Sequence, residues 1–247
     1  DSVGIPFMRF YFYGTDLFGE YFVAETTHAL HSWSIKSSPA YPNWYFTSLS
    51  VTVLPSALAE ITGLDVVSLF RAMVPVASAM SVVGVFVLVR EVFGTKIAGL
   101  SAIVFICHNV YFSMFQELLR QDIALFQLFL TFFLILHKQK QKGYAVASLM
   151  TMFGLATSHY TITYFAIAGL LIMLVSNKVS RVVRHVLQPL VARNGDVLET
   201  PRSILSGSLF LAATVIGLSW LLLVSYSIFA SSVGLGMEMI NAALGFR

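Results

Sequence analysis

The sequence predicts an all-α, polytopic integral membrane protein with amphipathic juxtamembrane helices beside its spans. Of the 247 residues, 57% are hydrophobic and only 11% are charged, whereas a soluble domain carries about 25% charged residues. Several long stretches lack Asp, Glu, Lys and Arg and approach the roughly 20 residues of a helical span. These features exclude a soluble globular protein, a disordered chain and a disulfide scaffold. The net charge of +3 does not indicate nucleic-acid binding, because the basic residues form no single patch.

Five stretches without charged residues define the predicted spans: 72–89, 97–116, 123–137, 143–177 and 203–237. A helix as long as either of the last two would measure roughly 52 Å, against a hydrocarbon core of about 30 Å. The polar cluster Thr157–Thr161 predicts a turn in the middle of 143–177. In 203–237 we expect one span and an interfacial tail. The prediction is therefore about six transmembrane helices, near 70–90, 97–116, 122–139, 143–157, 161–177 and 204–229.

The Lys and Arg residues orient these spans. Ten of them lie in one set of alternate connections: Arg90, Lys96, Lys138, Lys140, Lys142, Lys178, Arg181, Arg184, Arg193 and Arg202. Because Lys and Arg accumulate in cytoplasmic loops, we expect this set in the cytoplasm. The aromatic-rich segment 1–65 is then an extracytoplasmic loop with juxtamembrane helices, and 66–247 is the transmembrane helical domain. Because the first segment is expected outside the membrane and shows no signal-peptide pattern, we expect a further transmembrane span before it.

The first candidate site lies in the extracytoplasmic loop. Thr15 or Asp16 can cap a helix start. On that helix Asp16 and Glu20 are four residues apart, so they share a face. Two carboxylates just outside a membrane can act as a general base or hold a divalent cation. The alternative is a solvated polar face on an interfacial helix, with Asp16 as its cap. Further along, the short apolar stretch Trp44–Ala59 predicts an interfacial helix.

The second candidate lies in the connection between the second and third spans. Glu117, Arg120 and Asp122 follow one another closely there. A guanidinium at the membrane surface can bind a lipid phosphate through two hydrogen bonds, and Glu117 could orient it. The alternative is a local Glu117–Arg120 ion pair, with Asp122 capping the next span.

The third candidate is the predicted turn that contains His159 and Tyr160. His159 could bind a phosphate or a sugar, or transfer a proton, and the alternative is a plain interfacial turn. The charge distribution puts all three candidates on the same face of the membrane. The sequence contains no P-loop, GxGxxG or HExxH motif, so an energy source or a donor group would come from a lipid-borne substrate or an ion gradient.

At these residues the sequence resembles the amino-terminal half of a GT-C glycosyltransferase, the superfamily of oligosaccharyltransferase catalytic subunits and protein mannosyltransferases. The likeness covers roughly residues 10–180. More narrowly, the matching segments are similar to a group of large archaeal membrane proteins of this type. These segments are Gly14–Phe22, Leu49–Pro55, Leu119–Asp122 and Ser158–Tyr160.

The resemblance implies transfer of a sugar from a polyprenyl-phosphate donor at the extracytoplasmic face. Asp16 would be the catalytic base or a metal-linked acid, with Glu20 beside it. Arg120, Glu117 and Asp122 would lie near the donor phosphate, and His159 with Tyr160 would contact the donor. A divalent metal, Mg²⁺ or Mn²⁺, would be held by Asp16 and Asp122. The expected partners are membrane lipids, the lipid-linked donor and other membrane subunits.

Two other functions are open at this point. A non-catalytic GT-C-like scaffold subunit of a larger membrane complex is one, because we find neither the family's usual first span nor its soluble carboxyl-terminal domain. A transporter or channel is the other, but it would need ionisable residues at mid-span. The middles of the predicted spans hold only His108 and small polar groups, and the two halves show no inverted repeat.

Overall fold

The computed structural model describes residues 15–34, 43–108, 118–137, 143–191 and 206–224. Every regular element in these ranges is an α-helix, which agrees with the predicted fold class. In chain order the helices are α1 (Thr15–Ala29), α2 (Asn43–Phe46), α3 (Val53–Thr62), α4 (Val66–Phe93), α5 (Thr95–Cys107), α6 (Leu119–His137), α7 (Gly143–Ser158), α8 (Tyr160–Val191) and α9 (Gly207–Leu223).

Two of these helices, α4 and α6, are long and apolar enough to cross a membrane. Helices α3, α5 and α9 and the first part of α8, Tyr160–Ser176, are apolar but shorter. A helix lies at each of the six predicted spans, but length and composition support a crossing only for 70–90 and 122–139. The spans predicted at 97–116 and 204–229 extend beyond the described residues.

Helix α8 extends beyond the span predicted at 161–177. The predicted span ended near residue 177, whereas the helix continues to Val191. The predicted span ends just before the first charged residue, Lys178, but a change in polarity does not end a helix. Between Lys178 and Gln188 the chain has no Gly or Pro, and Lys and Arg have good helix propensity. The helix therefore runs on past its apolar part.

The connection between α3 and α4 has clear local causes. Gly63 has φ 70°, so it ends α3 in the left-handed conformation that glycine adopts without a steric cost. Asp65 then caps α4, because its carboxylate accepts a hydrogen bond from the backbone N–H of Ser68 at 2.7 Å. These two residues fix where the amphipathic α3 stops and the long apolar α4 begins.

The helical bundle is centred on α6, which packs against α4 on one side and α7 on the other. Helix α9 packs on α7 and α8. The approach of α4 to α6 is close at Gly84, where an added Cβ would lie 3.0 Å from Cβ of Phe129. Small residues at such crossings let apolar helices gain van der Waals contact in a membrane, where water provides no driving force between them.

A separate apolar core joins α1, α2, α3 and α4 to the start of α6. Its fully or almost fully buried members include Leu17, Val23, Phe46, Phe70 and Leu119. Because Leu119 is the first residue of α6, this core presses one face of α1 against the beginning of α6. Side chains on that face are thereby brought to the first turn of α6.

The predicted turn at Thr157–Thr161 is present as a break at one residue. Helix α7 ends at Ser158, α8 begins at Tyr160, and His159 lies between them. The backbone N–H of Leu49, in the segment between α2 and α3, donates to the carbonyl oxygen of Thr157 at 2.8 Å. The turn, the α2–α3 segment and the beginning of α6 therefore lie at the same end of the bundle.

Candidate functional site

The core of the site is a cluster of two carboxylates around Arg120. Asp16 and Glu20 lie on the face of α1 that packs against the start of α6, and Arg120 is the second residue of α6. Arg120 Nε lies 3.1 Å from Glu20 Oε1, and Arg120 Nη2 lies 3.8 Å from Asp16 Oδ2. One guanidinium therefore bridges both acids that the sequence placed on a common helical face.

Burial differs sharply among these three side chains. Glu20 is completely buried, the Arg120 side chain is 8% exposed and the Asp16 side chain is 45% exposed. Among the described residues, no well-aligned hydrogen bond reaches either Glu20 carboxylate oxygen or Arg120 Nε. Arg120 Nε and Glu20 Oε1 are therefore in close contact, in an apolar setting, without a well-aligned hydrogen bond. The accessible end of the cluster is Asp16.

Burial raises the pKa of Glu20 to about 8, because the charged carboxylate loses its hydration. The positive charge of Arg120 and the backbone amides of Arg120 and Leu119 act in the opposite direction. Those amides belong to the first turn of α6, where the helix dipole favours a negative charge. Glu20 is thus a buried acid whose protonation changes close to neutral pH.

Tyr45 also belongs to the cluster, although its position in the sequence does not predict this. Its hydroxyl donates to Asp16 Oδ1 at 2.5 Å. Its ring centroid lies 4.6 Å from Cζ of Arg120, within the range of a cation–π contact. Tyr45 lies on the short helix α2, and no spacing rule connects that helix with α1. From the sequence, Tyr45 is only one of several aromatic residues expected near the membrane interface.

His159 is near the same guanidinium. Its ring stacks on Tyr160 with centroids 5.3 Å apart, and among the described residues its buried Nδ1 has no hydrogen-bond partner. Burial, and then the positive charge of Arg120, lower the pKa of His159 to about 3. The imidazole is therefore neutral at physiological pH and offers one donor and one acceptor.

Asp122 points away from this cluster, in contrast to the prediction. Ser78 Oγ of α4 donates to its carboxylate, and Ser81 Oγ donates to its backbone carbonyl oxygen at 2.9 Å. The reason is helical periodicity, because residues two apart on a helix project on roughly opposite sides. Arg120 faces α1, so Asp122 faces α4 and joins the two long helices. Glu117, the remaining predicted residue, lies outside the described residues.

The donor set does not fit the metal expected from the resemblance. Asp16 has one oxygen on the Tyr45 hydroxyl and the other toward the Arg120 guanidinium, and both of these groups are donors. Asp122 interacts instead with the serines of α4. Within the described residues, no group of three or more His, Cys, Asp or Glu side chains could hold a metal ion.

Residues 50–193, more than half of the chain, match the family described as dolichyl-phosphate-mannose-protein mannosyltransferase. The chain belongs to this family. Membership confirms the resemblance to GT-C glycosyltransferases. The mannosyltransferase match includes Arg120 and His159, whereas Asp16, Glu20 and Tyr45 precede it. No curated protein and no solved structure gave a match.

Membership in this mannosyltransferase family also bears on location. Together with the apolar helices α4 and α6, it makes the chain a membrane protein. The cluster lies at the end of the bundle where α6 begins. From the distribution of Lys and Arg, we expect this end on the extracytoplasmic side of the membrane.

Proposed function

We propose that this protein transfers a sugar from a polyprenyl-phosphate donor to an acceptor hydroxyl at the extracytoplasmic membrane face. The observation that carries the proposal is the bridging of Asp16 and Glu20 by Arg120 at the beginning of α6. An exposed carboxylate and a guanidinium lie side by side there, at the end of an apolar bundle. These are the groups needed to activate a hydroxyl and to bind a phosphate.

Asp16 is the general base in this proposal. It takes the proton of the acceptor hydroxyl while the hydroxyl oxygen bonds to the anomeric carbon of the sugar. The bond from that carbon to the phosphate oxygen breaks, and polyprenyl phosphate leaves with the electron pair. Asp16 suits this role because it is the exposed member of the cluster, so a hydroxyl can approach it.

Arg120 binds the phosphate of the leaving group. A guanidinium has five N–H donors in a planar fork, and the contacts to the two carboxylates involve only Nε and Nη2. Glu20 lies against the buried side of Arg120, so that the fork stays oriented in the absence of donor. His159, neutral and close to Arg120, supplies a hydrogen bond to the sugar or to the phosphate.

The test is a comparison of Asp16→Asn with Glu25→Gln in a transferase assay with a radiolabelled polyprenyl-phosphate mannose. Loss of a general base reduces rates by about 10²–10⁴-fold, so we expect Asp16→Asn to lose at least about a hundredfold. Glu25 is an exposed carboxylate on the opposite side of α1, so its variant should stay within about twofold of wild type. Full activity of Asp16→Asn would refute the proposed function.

A scaffold subunit of a larger membrane complex is the second candidate. It is favoured by one observation: both Asp16 oxygens already face donors, Tyr45 and Arg120. In a scaffold this arrangement would be permanent. Asp16→Asn would then leave the transferase activity of the assembled complex unchanged and would lower only its thermal stability.

A further inference from the structure

Gly19 is the place where Tyr45 crosses α1. A Cβ at Gly19 would lie 2.8 Å from Cζ, 3.0 Å from Cε2 and 3.1 Å from Cε1 of the Tyr45 ring. Contacts this short force one of the two groups to move. Glycine inside a helix is less favourable than alanine by about 1 kcal/mol. Here it leaves the gap into which the tyrosine ring fits.

The ring is held firmly in that gap. Tyr45 is 6% exposed, and its neighbour Phe46 is fully buried in the core beneath α1. Trp33 Nε1–H donates to the carbonyl oxygen of Phe46 at 2.8 Å, and the Trp33 ring stacks on Trp220 of α9 at 6.3 Å. The short helix α2 is therefore fixed from both sides, and the direction of the tyrosine hydroxyl is fixed with it.

From this position Tyr45 contacts both charged groups of the cluster. The hydroxyl donates to Asp16 Oδ1, and the face of the ring covers the Arg120 guanidinium. Burial and the Asp16 carboxylate raise the pKa of Tyr45, so the phenol keeps its proton and remains a donor. Asp16 Oδ1 is thereby occupied, and Oδ2 is the oxygen left to face Arg120 and the acceptor.

We propose that Tyr45, seated on Gly19, is a positioning residue that directs Asp16 Oδ2 toward the acceptor and holds Arg120 in place for the donor phosphate. This inference rests on the proposed transferase function. It predicts two separable effects: the hydroxyl acts through Asp16 on the chemical step, and the ring acts through Arg120 on donor binding.

The first experiment separates these effects by steady-state kinetics in detergent with the lipid-linked donor. Tyr45→Phe removes only the hydroxyl, so we expect kcat to fall about tenfold, as for the loss of one hydrogen bond to a charged group, with donor KM within about twofold. Tyr45→Ala also removes the ring and should raise donor KM at least about fivefold. The matched control is Tyr21→Phe, the same change on the far side of α1, which should leave both constants unchanged.

The second experiment is a double-mutant cycle that also works if a single variant is unstable. Gly19→Ala displaces the ring and should lower kcat about as much as Tyr45→Phe. In the Tyr45→Ala background the ring is absent, so Gly19→Ala should cost nothing further. The apparent melting temperature should likewise fall on Gly19→Ala in the wild-type background, but not in the Tyr45→Ala background. Equal losses from Gly19→Ala in both backgrounds would refute the seating of Tyr45 on Gly19.

The outcomes distinguish the two proposals. If Asp16→Asn abolishes transfer while Tyr45→Phe keeps wild-type kcat, the positioning role is wrong and the transferase function stands. If Asp16→Asn itself keeps full activity, the transferase function fails, and the positioning role fails with it. A fall in kcat for Tyr45→Phe, with donor KM unchanged and the Tyr21→Phe control unaffected, supports the positioning role.

Discussion

The buried carboxyl of Glu20 makes a quantitative prediction about the pH dependence of stability. Its pKa is raised from the ordinary value of 4.5 to about 8 in the folded protein. Between these two pH values the folded state binds more protons than the unfolded state. Stability therefore decreases as pH rises through this interval, and is highest below it. One proton corresponds to a slope of at most about 1.4 kcal/mol per pH unit.

The perturbation that isolates this effect is Glu20→Gln, which keeps the size and removes the titration. The free energy of unfolding, measured by denaturant titration in detergent micelles at several pH values between 5 and 8, should fall less steeply for the variant than for wild type. The difference between the two slopes should approach the one-proton limit. All other ionisable groups are present in both proteins, so their contributions cancel in the comparison.

The control is Glu25→Gln, an exposed carboxylate on the same helix, which should leave the slope of wild type unchanged. Parallel curves for wild type and Glu20→Gln would refute the reasoning. In that case the Arg120 charge and the first-turn amides of α6, which act against burial, would outweigh the loss of hydration.

Two further predictions concern the backbone and the packing. His31 has φ 46°, a left-handed backbone conformation, and its imidazole lies 3.0 Å from Glu60 Oε1. His31→Ala should lose this contact and keep the backbone strain, whereas His31→Gly should lose both. Thermal unfolding should therefore show His31→Gly to be more stable than His31→Ala by about 1 kcal/mol. Gly84→Ala should destabilise the protein by about 1–3 kcal/mol, because its Cβ meets Phe129. The control is Gly99→Ala, which has open space around it and should be neutral or slightly stabilising. Equal effects of the two substitutions on stability would contradict the close approach of α4 and α6.

Local rules predicted the part of the site that depends on spacing along one element. The common face of Asp16 and Glu20 follows from a separation of four residues on a helix, and the two acids do share a partner. The break at His159 follows from the only polar cluster in an uncharged stretch too long for one span. Both features are decided within a few residues of the chain.

The features that the sequence did not reveal depend on contacts between distant segments. Tyr45 reaches Asp16 across 29 residues, because the core under α1 fixes α2 beside it. Asp122 is a different case, since the periodicity of α6 already places it opposite Arg120. Asp122 and Arg120 are close in the sequence, but this does not bring their side chains together. The side of each residue on its helix was the better guide.

The hydrogen bond between Leu49 and Thr157 has a mechanical consequence. It ties the segment that follows Tyr45 to the last turn of α7, immediately before His159. Tyr45 itself lies against Gly19 of α1, so α1 and α7 are connected through this one backbone segment. The tyrosine and the histidine near the guanidinium are therefore held by one continuous set of contacts, which restrains movement of α7 relative to α1.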